Sequence, residues 1–139
     1  MREQVVISAP ARAALQSAVR AAAPNEACGV LFGECEYGTW WVVDSIEQLP
    51  NEASSPERAD LISSATVRKL ECAATDNHTQ VVGFFHSHPR GATPSPTDLE
   101  LAWPGYLYLI ADAATHNGLS GWTLADDRSA FAQVSITER

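Results

Sequence analysis

Two histidines, His86 and His88, flank Ser87 at the end of an apolar run, in the stretch GFFHSHPRGATPSPTDLELA. Ser95 and Asp98 follow shortly after. Imidazole nitrogens and a carboxylate oxygen are metal-ligand atoms. On an extended strand successive side chains alternate, so His86 and His88 point one way and Ser87 the other. Pro89 ends the extended run, because it has no N–H to give to a strand ladder. Two imidazoles therefore leave one strand end on one side. A catalytic zinc takes three protein ligands and keeps one position open for water. Asp98 can supply the third ligand, because the turn between His88 and Ser95 lets the chain fold back. Such a metal lowers the pKa of its water from about 15.7 toward about 7 and polarises a carbonyl. The reaction also needs a base, and a nearby glutamate is the usual kind.

A plainer account covers part of the same stretch. Ser-Pro-Thr-Asp at 95–98 is a capping box by type, with Ser95 as N-cap, Pro96 at the first helical position and Asp98 at the third. Both accounts hold together if the cap fixes the helix start and so aims Asp98.

These residues carry a resemblance. HSHP, a glycine-containing loop and PSPTD resemble the JAMM signature of the MPN-plus metallopeptidases. The family also has a glutamate followed by x-Cys-Gly and an apolar run, and EACGVLFG at 26–33 is similar, with Glu26 in the glutamate position. The loop between His88 and Ser95 is one residue shorter than the common pattern. The likeness extends to the N-x-A-x-S-P loop at 51–56 and to AWPGYLYLI at 102–110, and the chain looks like the small bacterial members. The resemblance implies one zinc per chain held by His86, His88 and Asp98. It implies Glu26 as general base and acid. It implies Ser95 as donor to the developing oxyanion, worth on the order of 3 kcal/mol; a hydroxyl so directed is expected to leave the helix start to other groups. The implied substrates are ubiquitin-like or sulfur-carrier proteins with a C-terminal Gly-Gly tail, and the implied activity is peptidase or isopeptidase. A cell-wall or phage-tail-type zinc peptidase and a non-catalytic MPN scaffold are the competing readings.

The elements that must position these groups are short and alternate. Strands are expected at Val5–Ser8, Ala27–Gly33, Thr39–Ile46, Gln80–His86, Tyr106–Asp112, Ser120–Leu124 and Ala130–Ile136. A hairpin through Glu34–Gly38 joins two of them, and Ala59–Ser63 is a further short strand, a possible edge for a substrate tail. Helices are expected at Pro10–Ala23, capped by Ser8 and stopped by Pro24, at Ala65–Thr75, capped by Ser64, and at Pro96–Ala102. The run Val81, Val82, Phe84, Phe85 reads as a strand buried on both sides. The expected class is α+β (mixed α/β): a central, mostly antiparallel β-sheet flanked by two main helices plus a short metal-site helix, the MPN/JAMM-like (cytidine-deaminase-like) architecture.

Composition narrows the rest. A chain of 139 residues is expected to form one domain over 1–139. The net charge is −8 with a single lysine, Lys69, so the basic footprint of a nucleic-acid binder is missing. No apolar run reaches membrane-spanning length and MREQVVISAP is unlike a signal peptide, so the expected location is cytoplasmic, without membrane or nucleic-acid partners, as a monomer or weak homodimer. Cys28, Cys35 and Cys72 form no CxxC pair and read as small buried apolar side chains or free thiols. His78 and His116 read as turn residues, Arg90 as a solvated loop residue, and Trp40, Trp41, Trp103 and Trp122 as packing residues.

Overall fold

The computed structural model of the chain describes residues 4–36, 39–51, 62–115 and 118–139. The elements run β1 (Gln4–Ile7), α1 (Ala9–Ala22), β2 (Cys28–Glu36), β3 (Trp40–Leu49), α2 (Ser64–Asp76), β4 (Gln80–His88), α3 (Pro96–Leu101), β5 (Leu107–Asp112), β6 (Leu119–Leu124) and β7 (Phe131–Glu138). The strands close into a barrel in the order β1-β3-β2-β4-β5-β6-β7.

That closure corrects the expected α+β architecture of a central sheet flanked by helices. β1 pairs in parallel with β3 on one side, Val5 opposite Trp41, and with β7 on the other, Val5 opposite Ile136. An open sheet would leave the free edges of β3 and β7 with unpaired N–H and C=O groups. One four-residue strand satisfies both edges. Parallel pairs at β1–β3, β1–β7 and β4–β5 stand beside antiparallel ones elsewhere, so the wall is mixed.

Two cores form on the two faces of this wall. One gathers Val5, Ile7, Leu31, Trp41, Val43, Val82, Phe85, Leu107 and Leu109 around the apolar stripe of α1, Ala11, Leu15, Ala18 and Val19. Ser8 caps α1, its Oγ accepting from the Ala11 N–H, as the sequence led one to expect. The other core gathers Val30, Phe84, Tyr108 and Leu124 beneath Val67 of α2 and Ala102 after α3. For α2 the cap is Ser63, whose Oγ accepts from Thr66 N–H, and not Ser64.

A bulge decides which face receives the histidines. Across β2–β4, Leu31 faces Gly83 but Phe32 faces Val81, so Val82 is an extra residue in β4. Val82 and Phe85 therefore enter the α1 core, and Val81 and Phe84 the other. His86 follows Phe84 in alternation, on the face covered by α2 and α3. β4 runs two residues beyond the expected His86 and includes His88.

The expected strand at Ala59–Ser63 falls largely outside the described residues; Ile62 and Ser63 within them are not in a strand. The loop at 52–57, the hairpin tip at 37–38 and His116 also lie outside them. His78 is an exposed turn residue with φ 58. Among the described residues no helix is long and apolar enough to cross a membrane.

Candidate metal centre

β4 delivers two imidazoles to one place. His86 Nε2 and His88 Nε2 lie 3.2 Å apart, with ring centroids 5.0 Å apart. His86 is buried and His88 half-buried. The chain then leaves the wall through 89–94 and returns at α3, which brings Asp98 back. Asp98 Oδ1 stands 3.2 Å from His86 Nε2, and Oδ2 stands 3.1 Å from His88 Nε2. One ligand atom from each of His86, His88 and Asp98 can be chosen so that all lie within 4.8 Å of one another.

These separations suit a tetrahedral ion. Metal–ligand bonds of about 2.0–2.2 Å imply ligand–ligand edges of about 3.3–3.6 Å; the two imidazole nitrogens, and each of them with its nearer Asp98 oxygen, lie close to that. The donor set is two imidazole nitrogens and one carboxylate. The carboxylate is kept anionic. Burial pushes the Asp98 carboxyl up, but hydrogen bonds from His86 and His88, the charge of His86 and the Ser95 N–H outweigh it, holding Asp98 well below the usual carboxylate range.

The capping box is present in full. Ser95 Oγ accepts from Asp98 N–H at 3.1 Å, and Ser95 N–H donates to Asp98 Oδ2 at 2.8 Å. The helix start is thus satisfied by Ser95 itself, as the capping-box reading expected. A hydroxyl has two acceptor lone pairs and one donor hydrogen, and the cap uses only an acceptor. The Ser95 O–H keeps its donor capacity, so capping and donation to a substrate oxygen are compatible. Asp98 is aimed by the same box, because Oδ2 is tied to the backbone of the residue that begins its helix.

Glu26 is 5% exposed and lies two residues before β2 rather than within it. Cys28 faces His86 across β2–β4. Beyond that pair, Ser87 N–H donates to Ala27 O at 3.0 Å and Ala27 N–H donates to Ser87 Oγ at 2.8 Å. Glu26 directly precedes Ala27 and His88 directly follows Ser87, so this contact joins the two segments that carry them. Asn51 Nδ2 donates to the Glu26 carbonyl at 3.2 Å, tying this segment to the end of β3. Ser87 was not given a role from the sequence, and Asn51 entered only as the first residue of the N-x-A-x-S-P loop. A serine aimed into an otherwise apolar strand face was the available signal, because a buried hydroxyl needs a partner.

A pocket of about 370 Å³ opens beside the cluster. Phe84, His86, Asp98, Trp103, Tyr108 and Phe131 line it, so two residues of the cluster form part of its wall. Trp103 packs at 6.1 Å from the Phe84 ring, as expected of a packing residue, and also faces this pocket. Arg90 is exposed in the loop. Among the described residues Cys28, Cys35 and Cys72 form no disulfide.

Comparison with known proteins agrees with this geometry. Residues 8–125 match the family described as prokaryotic homologs of the JAB domain. A desampylase from Haloferax volcanii is 38% identical over 124 residues, covering 84% of this chain and 86% of the relative. A protein from Desulfitobacterium hafniense, solved in solution, superposes with a TM-score of 0.78 at 29% identity, over 97% of this chain and 92% of the other. A JAB1/MPN domain protein from Archaeoglobus fulgidus shares the fold at 20% identity, with a TM-score of 0.60 over 96% of this chain and 98% of the other. A family match over most of the chain, together with the His-His-Asp cluster, shows that the chain belongs to the prokaryotic JAB-domain proteins, as a small bacterial-type member of the JAMM/MPN family.

Proposed function

We propose that the protein is a zinc-dependent peptidase or isopeptidase that cleaves after the Gly-Gly tail of a ubiquitin-like modifier or sulfur-carrier protein. The observation that carries this reading is the convergence of His86 Nε2, His88 Nε2 and the Asp98 carboxylate; Glu26 is buried and directly precedes Ala27, which is docked on Ser87 between the two histidines. The likeness to a desampylase supports a ubiquitin-like substrate. The pocket walled by His86 and Asp98 supports a peptide lying against the cluster.

In this reading His86, His88 and Asp98 hold one zinc per chain. Zinc supplies Lewis acidity when bound, lowering the pKa of a water toward about 7 and polarising the scissile carbonyl. The Glu26 carboxylate takes a proton from the attacking water and passes it to the leaving amine. The Ser95 O–H donates to the carbonyl oxygen as it gains charge, at a value on the order of 3 kcal/mol. The capping box keeps the Ser95 hydroxyl and the Asp98 carboxylate in fixed relation, so neither must be ordered during the reaction. Residues 1–139 act as one metallopeptidase domain, as a monomer or weak homodimer, in the cytoplasm.

The test is zinc content and cleavage measured together, for the wild type, Glu26→Ala and His88→Ala, on a ubiquitin-like protein fused through its Gly-Gly tail. The expected result is one zinc in the wild type and in Glu26→Ala, loss of zinc in His88→Ala, and cleavage by the wild type alone. Zinc without cleavage of any Gly-Gly fusion refutes the substrate. A wild type that takes up no zinc when it is supplied refutes the enzyme reading and leaves a non-catalytic scaffold.

A further inference from the structure

The segment 89–94 separates His88 from Ser95 and Asp98, so its path sets where Asp98 returns. That path reaches far from β4. The carbonyl oxygen of Ala92 accepts from Ser120 Oγ and, at 3.2 Å, from Trp122 Nε1. Trp122 Nε1 also donates to Ser120 Oγ at 2.6 Å. Ser120 and Trp122 lie on β6, and β5 separates β6 from β4. The loop therefore crosses over β5, is caught on β6, and comes back to place Asp98 against His86 and His88.

The catch lies on the ligand face of the wall. Ser120 is opposite Ile110 and Trp122 opposite Tyr108 across β5–β6. Ile110 and Tyr108 line the pocket that His86 and Asp98 also line. Ser120 is buried, and its hydroxyl receives the indole N–H and passes its own hydrogen to Ala92 O. Neither residue belongs to the His-His-Asp group. Nothing in the chemistry of cleavage requires a serine and a tryptophan two residues apart on β6, but a loop that must end with a ligand in place needs its midpoint held.

We propose that Ser120 and Trp122 are positioning residues that clasp the Ala92 carbonyl and thereby hold Asp98 in reach of the metal shared with His86 and His88. The inference rests on the zinc reading above. It concerns metal affinity rather than the chemical step, because the clasped loop joins two of the three ligands. Outer partners that orient ligands change metal affinity by about 10–100-fold, and a clasp acting through a loop belongs at the lower end, about tenfold.

The test is the zinc dissociation constant, by competition with a chromophoric chelator, for the wild type, Ser120→Ala, Trp122→Phe and Ser120→Thr. The melting temperature of each zinc-free protein is recorded alongside. Ser120→Ala and Trp122→Phe are expected to bind zinc about tenfold more weakly while their zinc-free forms melt within a few degrees of the wild type. Ser120→Thr, which keeps the hydroxyl, is expected to restore wild-type affinity. A wild type that binds zinc, with Ser120→Ala and Trp122→Phe within about twofold of it, overturns the clasp alone. So does Ser120→Thr binding as weakly as Ser120→Ala. A wild type that binds no zinc overturns the metal reading instead.

Discussion

Replacing Ser87 with alanine removes one oxygen atom from the centre of the structure and tests how Glu26 is held. Ser87 is 1% exposed and Ala27 is 2% exposed, so water does not replace the lost group. The Ala27 N–H, which now donates to Ser87 Oγ at 2.8 Å, is left buried without that acceptor. Such a group costs about 1–3 kcal/mol. The reciprocal bond, Ser87 N–H to Ala27 O at 3.0 Å, survives because it uses only backbone. The two segments therefore stay docked by one bond instead of two, and a loss of about 2 kcal/mol is expected. For a chain of this size that is a fall in melting temperature of about 6–10 °C. Urea unfolding of the zinc-free protein reads the free energy directly, with an unchanged slope showing that the same surface is exposed. Ser87 faces away from His86 and His88, so zinc content should stay at the wild-type level. In the proposed mechanism Glu26 is the reacting base; it directly precedes Ala27, and a small displacement of such a group is costly, so the cleavage rate should fall by about tenfold or more. A stability loss below about 0.5 kcal/mol, or loss of zinc together with stability, would refute this account of Ser87.

Two further substitutions test the frame around the site. Gly29 lies on β2 between β3 and β4, where an added Cβ would run into the Glu47 carbonyl oxygen and the buried Phe85 ring. Neither can withdraw cheaply, so Gly29→Ala should cost at least about 3 kcal/mol, read as a lowered urea midpoint or loss of folded protein. Tyr106 donates its phenol O–H to Glu71 Oε1 at 2.6 Å, joining the turn after α3 to α2, and Tyr106→Phe should cost about 1 kcal/mol near neutral pH. Burial first, then the hydrogen bond and charge of Glu71, raise the Tyr106 pKa above that of an ordinary phenol. The folded protein thus holds this proton more tightly than the unfolded chain. Its contribution is complete below about pH 10 and is lost as pH rises further, so thermal melts of wild type and variant should converge in alkaline buffer.

What the sequence made legible was what neighbouring residues decide among themselves. Alternation along one strand puts His86 and His88 on one side, and that needs no knowledge of any partner strand. The box at Ser95–Asp98 closes within four residues, so its hydrogen bonds follow from residue type and spacing. The cap of α1 at Ser8 is local in the same way. Even there the resolution is limited: Ser63 and Ser64 offer the same hydroxyl in adjacent positions, and only the path of the chain chooses Ser63. What stayed hidden depends on distant segments meeting. β1 is four residues long, and its pattern says that Val5 and Ile7 share a buried face but not that two edges, β3 and β7, are waiting for it. A central sheet flanked by helices and a closed barrel present the same alternation along every strand, so pattern alone does not separate them; the pairing of edges does. The site depends on this non-local layer as well. Glu26 precedes His86 by 60 residues, and the contact between Ala27 and Ser87 that sets it beside β4 exists only once β2 and β4 have paired. The motif names the groups, and the wall brings them together. For that reason substitutions at Ser87 and Gly29, outside the motif's reacting groups, should be felt through the frame: both lower stability, and Ser87→Ala slows cleavage while zinc stays in place.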